Sequence, residues 1–555
     1  PEPWPRIMQY AQAIVGTPRH ISVHPGGMVI TPRPIDTYVP VENAPKGVPI
    51  IQWEKDGTET AGLVKIDLLG NRSLGVIRDA IEMASAPGGR FDDFQHMDPE
   101  DDYDTQINVA QGNTMGCFYI ESPATRLLQK KSKVGDFDHV VIHSSIIRPA
   151  ANEFIQEYIK RLHTGIWDPI HPLLADVLEE TYGIMVFQED VSRVAVRMAG
   201  FTHAQADGLR KIMSKKDKER ALADYYNRFR DGALKNHVTS QDIDRVWDMI
   251  TSFSGYSFCK PHSASYARVS FQAAYLKTHY PAEFMAAVIS NQGGFYSTFA
   301  YVSEARRMGV TIRQPDVNTS GIHWKGQKGA LRVGLMAVKH LSASTMNTIM
   351  QQREFLPFKN PDDFFTRVKP KEDEARALIH SGSLDSLAPD LHRAQLLWAF
   401  VSWRHRKKQA QDLTGLFEAD QTQMPMPELP RPETADELKR EFSILGFLCR
   451  HHPMVLFPAL SSHPDTIRAR DIPKHTNREI TFAGWLITGK SVQTRKGDPM
   501  KFITFEDDTG LIETVFFPKA YARFCHMLDY GRPYLVKGRP EESWGAVTVT
   551  VHAVH

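Results

Sequence analysis

Cysteine is scarce in this sequence, with four residues in 555: Cys117, Cys259, Cys449 and Cys525. None stands in a C-x-x-C pair, which argues against a zinc site or a disulfide framework and for a reducing compartment. Charge of one sign is lacking as well. Lysine and arginine total 66 against 65 acids, a net charge of +1, so any surface for nucleic acid must come from local clustering. No apolar run approaches the ~20 residues of a membrane span, and no signal peptide is visible. A cytoplasmic protein without a membrane partner is therefore expected. An initiator methionine is also missing; the chain opens PEPWPRIMQYAQ, and the expectation is a piece of something longer. Hydrophobic residues at 42% and charged residues at 24% are ordinary for globular protein. The length exceeds one core, so three or more domains are expected.

The stretch that organises the chain is Ala61–Ala80, AGLVKIDLLGNRSLGVIRDA. Leu63, Val64, Ile66, Leu68 and Leu69 form an apolar run that Gly70 ends, and Leu74, Ile77 and Ile81 then recur at helical spacing. The run predicts a buried strand, in which a charge is costly unless it is paired or holds a metal. Two readings of Lys65 and Asp67 stay open. They neutralise each other at a sheet edge, or Asp67 is a catalytic carboxylate for a divalent cation with Lys65 beside it for phosphate.

Upstream, Val23 and Met28–Ile30 flank a Pro25-Gly26-Gly27 turn in which His24 reads as a structural histidine. Asp101-Asp102-Tyr103-Asp104 reads as a solvated loop, not a metal site. Gly183–Lys216 predicts a long helix through Ile184, Phe187, Val191, Val194 and Met198, with a break at Gly200. It ends in Leu209–Lys216, where Arg210, Lys211, Lys215 and Lys216 have no acid inside the run, which points to an anion partner such as a triphosphate. Lys260, His262 and Ser263 sit in a predicted polar turn between Tyr256 and Tyr266, groups suited to phosphate and to base stacking.

Residues 330–400 predict paired helices, among them Gly334–Ser342 (GLMAVKHLS) and Lys371–Leu387. A Gln-, Pro- and Met-rich tract within 405–432 reads as a linker, and Thr434 with Glu437 as a capping box. From Arg478 the period becomes two. Five strand candidates, Ile480–Trp485, Lys501–Glu506, Leu511–Phe517, Tyr534–Gly538 and Ala546–Val551, suit an OB barrel with a helical insert near Ala520–Leu528. Trp485, Phe505, Phe516 and Trp544, with Lys490, Arg495, Lys496 and Lys501, are the expected surface for single-stranded DNA, some of the aromatics serving the core instead.

Taken together, SVHPGGMVI, GLVKIDLLGNRSL, QGNTMGCFYIES, GIMVFQEDVSRVAVRMAGFTHAQADGLRKIMSKK and GYSFCKPHSASYARVSFQAAYLKTHYPAEFMAAVIS resemble the bacterial family C DNA polymerases, typified by the α subunit of DNA polymerase III. The motifs occur in the family's order across most of residues 20–320. The resemblance implies a multidomain, mainly α protein with an α/β palm remnant and a C-terminal all-β OB-like barrel. Residues 1–75 would be the C-terminal part of the palm with a thumb remnant, 76–320 the fingers and 321–425 a helical, helix-hairpin-helix-like region with a linker. A helical connector at 426–475 and the OB-fold domain at 476–555 would follow.

The resemblance also implies template-dependent addition of deoxynucleotides by two-metal phosphoryl transfer. Asp67 matches the third catalytic aspartate, a Mg²⁺ ligand, and Lys65 the phosphate-contacting lysine. Arg210, Lys211 and Lys215 match the cationic cluster over the incoming triphosphate, with Lys260, His262 and Ser263 lining the nucleotide site. Primer-template DNA, deoxynucleoside triphosphates, the sliding clamp and other replisome subunits are the implied partners, with Leu413–Phe417 lying where a clamp peptide occurs. The family's paired aspartates fall upstream of SVHPGGMVI, so two of three catalytic acids are expected to be absent and this polypeptide inactive alone.

The departures lean toward an error-prone branch. Arg148-Pro149-Ala150-Ala151 replaces Arg-Pro-Gly-Pro, Lys211 replaces the second arginine of a pair, and Lys339-His340-Leu341-Ser342 replaces a glycine-rich hairpin that grips duplex DNA. The rival reading is a non-catalytic scaffold that binds single-stranded DNA and the clamp.

Overall fold

A computed structural model describes residues 2–17, 19, 23–24, 26–44, 47–68, 70–85, 98–147, 152–213, 219–252, 258–412, 426–461, 463–494 and 496–555. It divides into two units, Pro1–Arg72 and Ser73–His555. The first holds α1 (Trp4–Ala13), α2 (Lys55–Thr60) and two antiparallel ladders. One pairs β1 (Gly27–Val29) with β4 (Lys65–Asp67), the other β2 (Val41–Asn43) with β3 (Pro49–Ile51). The strand expected to be buried is neither long nor covered. Among the described residues of this run only Lys65, Ile66 and Asp67 are extended, and Val64, Ile66 and Leu68 are exposed. A two-stranded ladder has no second layer against which to bury a face.

The second unit is mainly helical. It runs through α3 (Arg72–Ser85), α4 (Tyr103–Ala110), α5 (Pro123–Ser132), α6 (Phe137–Ile146), α7 (Asn152–Thr164), α8 (Gln188–Ala199) and α9 (His203–Met213). Then come α10 (Glu219–Lys235), α11 (Ser240–Ser252), α12 (Lys260–His279), α13 (Pro281–Asn291) and α14 (Thr298–Arg307). The long helix predicted over Gly183–Lys216 is two helices. Ile184 and Phe187 belong to the extended approach, where Phe187 bridges to Phe258, and α8 starts only at Gln188. Val191, Val194 and Met198 do face the core, and Gly200 closes the helix at φ +64°. Asp102 is the N-cap of α4, accepting from the Thr105 N–H at 2.8 Å, so that acidic stretch starts a helix where a loop was expected.

A small sheet, β5 (Thr311–Arg313), β6 (Lys325–Gln327) and β7 (Ala330–Arg332), precedes α15 (Ala343–Phe355), α16 (Pro361–Val368), α17 (Glu372–His380) and α18 (Arg393–Asp412). Gly334–Ser342 is a 3-10 turn and hairpin, not a helix. Next come α19 (Thr434–Leu445) and α20 (Pro458–Ser461). The cap of α19 is Glu433 with no side-chain hydrogen bond, so the Thr434–Glu437 capping box does not form.

The C-terminal strands are β8 (Ile480–Gln493), β9 (Pro499–Glu506), β10 (Leu511–Phe516), β11 (Pro533–Ser543) and β12 (Ala546–Val554), with α21 (Pro518–Phe524) inserted. They close in the order β10-β12-β11-β8-β9, with only the β10–β12 pairing parallel. This is the five-stranded OB arrangement. Asp507 fixes the β9–β10 turn by accepting from the Thr509 and Gly510 N–H groups at 2.7 and 3.0 Å.

Candidate functional site

In β4, Lys65 and Asp67 are two residues apart and share a strand face. Lys65 Nζ stands 2.6 Å from Asp67 Oδ1. His24 Nδ1 lies 3.8 Å from the same oxygen but spends its lone pair on the Gly26 N–H at 3.1 Å, so it donates no hydrogen bond to Asp67. Gly27, opposite Asp67 in the ladder, leaves room for this arrangement: a Cβ there would lie 2.8 Å from Lys65 Cε. The hydrogen bond from Lys65 holds the Asp67 carboxyl below its ordinary range. The carboxylate is half exposed, not embedded in apolar surroundings.

A magnesium ion takes about six oxygens in near-octahedral geometry. The described residues gather no group of three potential metal ligands. One carboxylate already paired to a lysine does not by itself fit a two-ion site.

The predicted cations of the second unit lie on two segments far apart in sequence, and the N-terminus of α8 ties them together. On α9, Arg210 donates to Asp207 Oδ1 through Nε and Nη2 at 3.0 and 2.8 Å and to Gln188 Oε1 through Nη1 at 3.0 Å. Lys211 Nζ reaches Asp207 Oδ2 at 2.8 Å. At the start of α12, the Lys260 N–H donates to Glu189 Oε2 at 3.0 Å, and its Nζ lies 2.6 Å from both Glu180 oxygens and 5.5 Å from the centre of the Phe187 ring.

Phe187, Gln188 and Glu189 thus bring Arg210 and Lys260 to one edge of the fold. The cationic run does have a compensating acid. Asp207 lies one helical turn before it, and bonds from Lys211 and Arg210 hold its carboxyl low. Helical spacing alone could have found it.

Lys260, His262 and Ser263 form the first turn of α12 and not a free polar turn. His262 is exposed and packs its ring 4.2 Å from that of Tyr266, which meets Phe118 and Tyr119 edge-on at 5.1 Å. Ser263 is fully buried and accepts from Ser145 Oγ at 2.8 Å, joining α12 to α6. Its hydroxyl is used in the packing between these two helices. Lys215 and Tyr256 lie outside the described residues.

In the barrel, the expected stacking surface needs correcting. Phe505 and Phe516 are fully buried inside the barrel. Trp485 is buried against Phe299, Phe442 and Phe457. Trp544 stacks on His163 of α7 at 4.7 Å, with the rings 11° from parallel. Tyr530, Phe517 and Phe502 are exposed aromatics of this domain that the sequence pattern did not mark. Phe502, 40% exposed, pairs across the sheet with Lys490 on one side and Val515 on the other. Cross-strand partners share a face, so Lys490 and Phe502 put a cation beside an open ring. Lys496 is exposed in the β8–β9 loop, Lys501 is half-buried, and Arg495 lies outside the described residues.

Four family models match the chain: bacterial DNA polymerase III alpha NTPase domain over 2–70, bacterial DNA polymerase III alpha subunit finger domain over 73–237, a helix-hairpin-helix motif over 309–396 and an OB-fold nucleic acid binding domain over 480–555. Among curated relatives, the DNA polymerase III subunit alpha of Bacillus subtilis is 31% identical over 97% of this chain and 49% of its own length. That of Thermus aquaticus is 31% identical over 97% and 45%. An error-prone DNA polymerase of Anaeromyxobacter dehalogenans is 32% identical over 98% and 49%. The chain spans about half the length of these relatives.

Proposed function

Because the chain belongs to the bacterial DNA polymerase III alpha family, we propose that it serves a DNA-directed DNA polymerase that adds deoxynucleotides to a primer end on a template. The observation that carries this reading is the anchoring of the Arg210 side chain and the Lys260 backbone N–H on neighbouring residues of α8, Gln188 and Glu189. Basic residues from two segments anchored side by side suit an incoming triphosphate, with Lys211 and His262 at its margin; Lys215 is proposed as a triphosphate contact from its place in the sequence alone. Lys490, Phe502, Lys496, Arg495 and Lys501 are the proposed track for single-stranded DNA. Primer-template DNA, the sliding clamp and other replisome subunits are proposed partners, in the cytoplasm. An error-prone role is the proposed branch, supported by the lysine at 211 and by relatives that bear that name.

Asp67 is proposed as one Mg²⁺ ligand and Lys65 as its phosphate-facing neighbour. Since the residues present do not complete a two-ion site, these 555 residues alone are proposed not to extend a primer. The test is Asp67→Asn in the full-length polymerase. Primer extension should fall about a hundredfold or more if the carboxylate meets the metal, whereas extension near the wild-type rate removes Asp67 from the mechanism. The closed Lys65–Asp67 pair favours the second reading, a DNA-binding scaffold. Single-strand affinity that persists while the full-length protein never extends a primer would support it.

A further inference from the structure

The helix-hairpin-helix match over 309–396 leads one to expect that the hairpin at Val338–Ser342 offers backbone N–H groups at the start of α15 to a duplex phosphate. Several donors at this hairpin are already committed to one side chain. Glu374, 3% exposed, turns one oxygen to α15: Oε1 accepts the Ser342 N–H at 3.1 Å, the Ser342 hydroxyl at 2.6 Å and the Thr345 hydroxyl at 2.8 Å. Its other oxygen, Oε2, accepts the Lys371 N–H at 2.9 Å, closing the N-terminus of its own helix, α17. One buried carboxylate therefore sits at the positive ends of two helices.

The hairpin's lysine is committed too. Lys339 Nζ donates to the Ser443 carbonyl at 2.9 Å, in the last turn of α19, where a cation suits the negative end of the helix. His340 holds φ +69° at the hairpin's tip, the left-handed conformation that glycine adopts without strain.

We propose that Glu374 is a built-in anion that fills the phosphate seat of this hairpin, making the module a joint between α15, α17 and α19 and not a grip on duplex DNA. Burial of Glu374 raises its pKa, but the bonds from Ser342, Lys371 and Thr345 outweigh that and keep it ionised. The anion is thus permanent at neutral pH.

The test is chemical rescue in the full chain. Glu374→Ala vacates the seat, and its melting temperature should drop by several degrees. Inorganic phosphate should then recover a large part of the loss, beyond what sodium chloride of equal ionic strength recovers. Wild-type protein and a Leu378→Ala variant, destabilised elsewhere on α17, should show no such preference; they control for the general stabilising effect of phosphate. In parallel, Lys339→Ala and His340→Ala in otherwise wild-type chain should leave the affinity for a fluorescent duplex within twofold. No phosphate-specific recovery in Glu374→Ala, or a tenfold loss of duplex affinity in either hairpin variant, overturns the proposal. Should Glu374→Ala fail to fold, the hairpin variants alone decide.

Discussion

A lysine and an aspartate two apart on an open strand satisfy each other before any ligand arrives, and Lys65 with Asp67 do so. The sequence presented both the pair and the metal reading. What it hid was exposure, because the apolar residues Val64, Ile66 and Leu68 look like a core strand until the ladder is seen to have a single partner. Burial acts in the opposite way on His143. Fully buried on α6, with Nε2 3.4 Å from the Tyr158 hydroxyl and Nδ1 without a hydrogen-bond partner among the described residues, it has its pKa pushed down to about 3 by that burial. His380 is pushed to about 4 by the same cause. A histidine with a depressed folded pKa binds its proton more readily when unfolded. Its contribution is therefore complete above about pH 6.5 and lost as pH falls toward 3. The slope is about 1 kcal/mol per pH unit for each such group. Asp190, raised by burial to about 6, works against this trend between about pH 4 and 6, so variant and wild type must be compared over the same range. His143→Gln should flatten the rise of the urea midpoint between pH 4 and 6.5. An unchanged slope would remove His143 as its source.

At the scale of elements, period and spacing carried far. The core stripe of α8 and the alternating barrel strands could be read directly, as could the cations of α9. The pairing of Arg210 with Asp207 was also within reach, since three and four residues is the contact distance on a helix. The acid lies just before the cationic run and so falls outside the segment that charge clustering marks. If Asp207 competes with phosphates for Arg210 and Lys211, Asp207→Asn should bind tripolyphosphate several-fold more tightly and with a steeper salt dependence, with little change in melting temperature because the pair is exposed. Weaker binding would mean that Asp207 positions the cations, and is not a competitor for them.

In the barrel, no local pattern could tell Trp485 from Phe502. Both lie on strands, and only the packing of β8 against Phe299, Phe442 and Phe457 decides which is buried. Phe502→Ala should cost about 1–3 kcal/mol of single-strand affinity and leave the fold intact. Trp485→Ala should instead cost about 3–5 kcal/mol of stability. Equal single-strand affinity of Phe502→Ala and wild type, in a fluorescence titration, would move the binding face elsewhere.

Across the second unit, the barrel is joined to the helices by charge as well as by apolar packing. Arg307 of α14 reaches Glu506 of β9 and Glu304 of its own helix, both at 3.0 Å, and Glu304 also takes Lys277 of α12 at 2.7 Å. Glu506 accepts from His452 at 3.2 Å, and Arg126 of α5 lies 3.6 Å from Glu513 of β10. Neither glutamate of the barrel stood out in the sequence, because alternation marks a residue as outward without saying that a helix covers it. Ion pairs removed from water gain little over apolar packing, but breaking one strands its partner. Arg307→Ala leaves Glu506 and Glu304 facing each other without their shared cation, and it should cost about 3–5 kcal/mol. Adding Glu506→Gln should restore part of that loss, by relieving the stranded charge. Because the outer face of β9 and β10 near Glu506 and Glu513 is used for this joint, single-stranded DNA is left the other end of that face, around Lys490 and Phe502. Loss of the joint in Arg307→Ala should therefore lower the denaturation midpoint without lowering single-strand affinity at temperatures where the variant is folded. A parallel loss of affinity would show that the bound strand needs the helices and the barrel together.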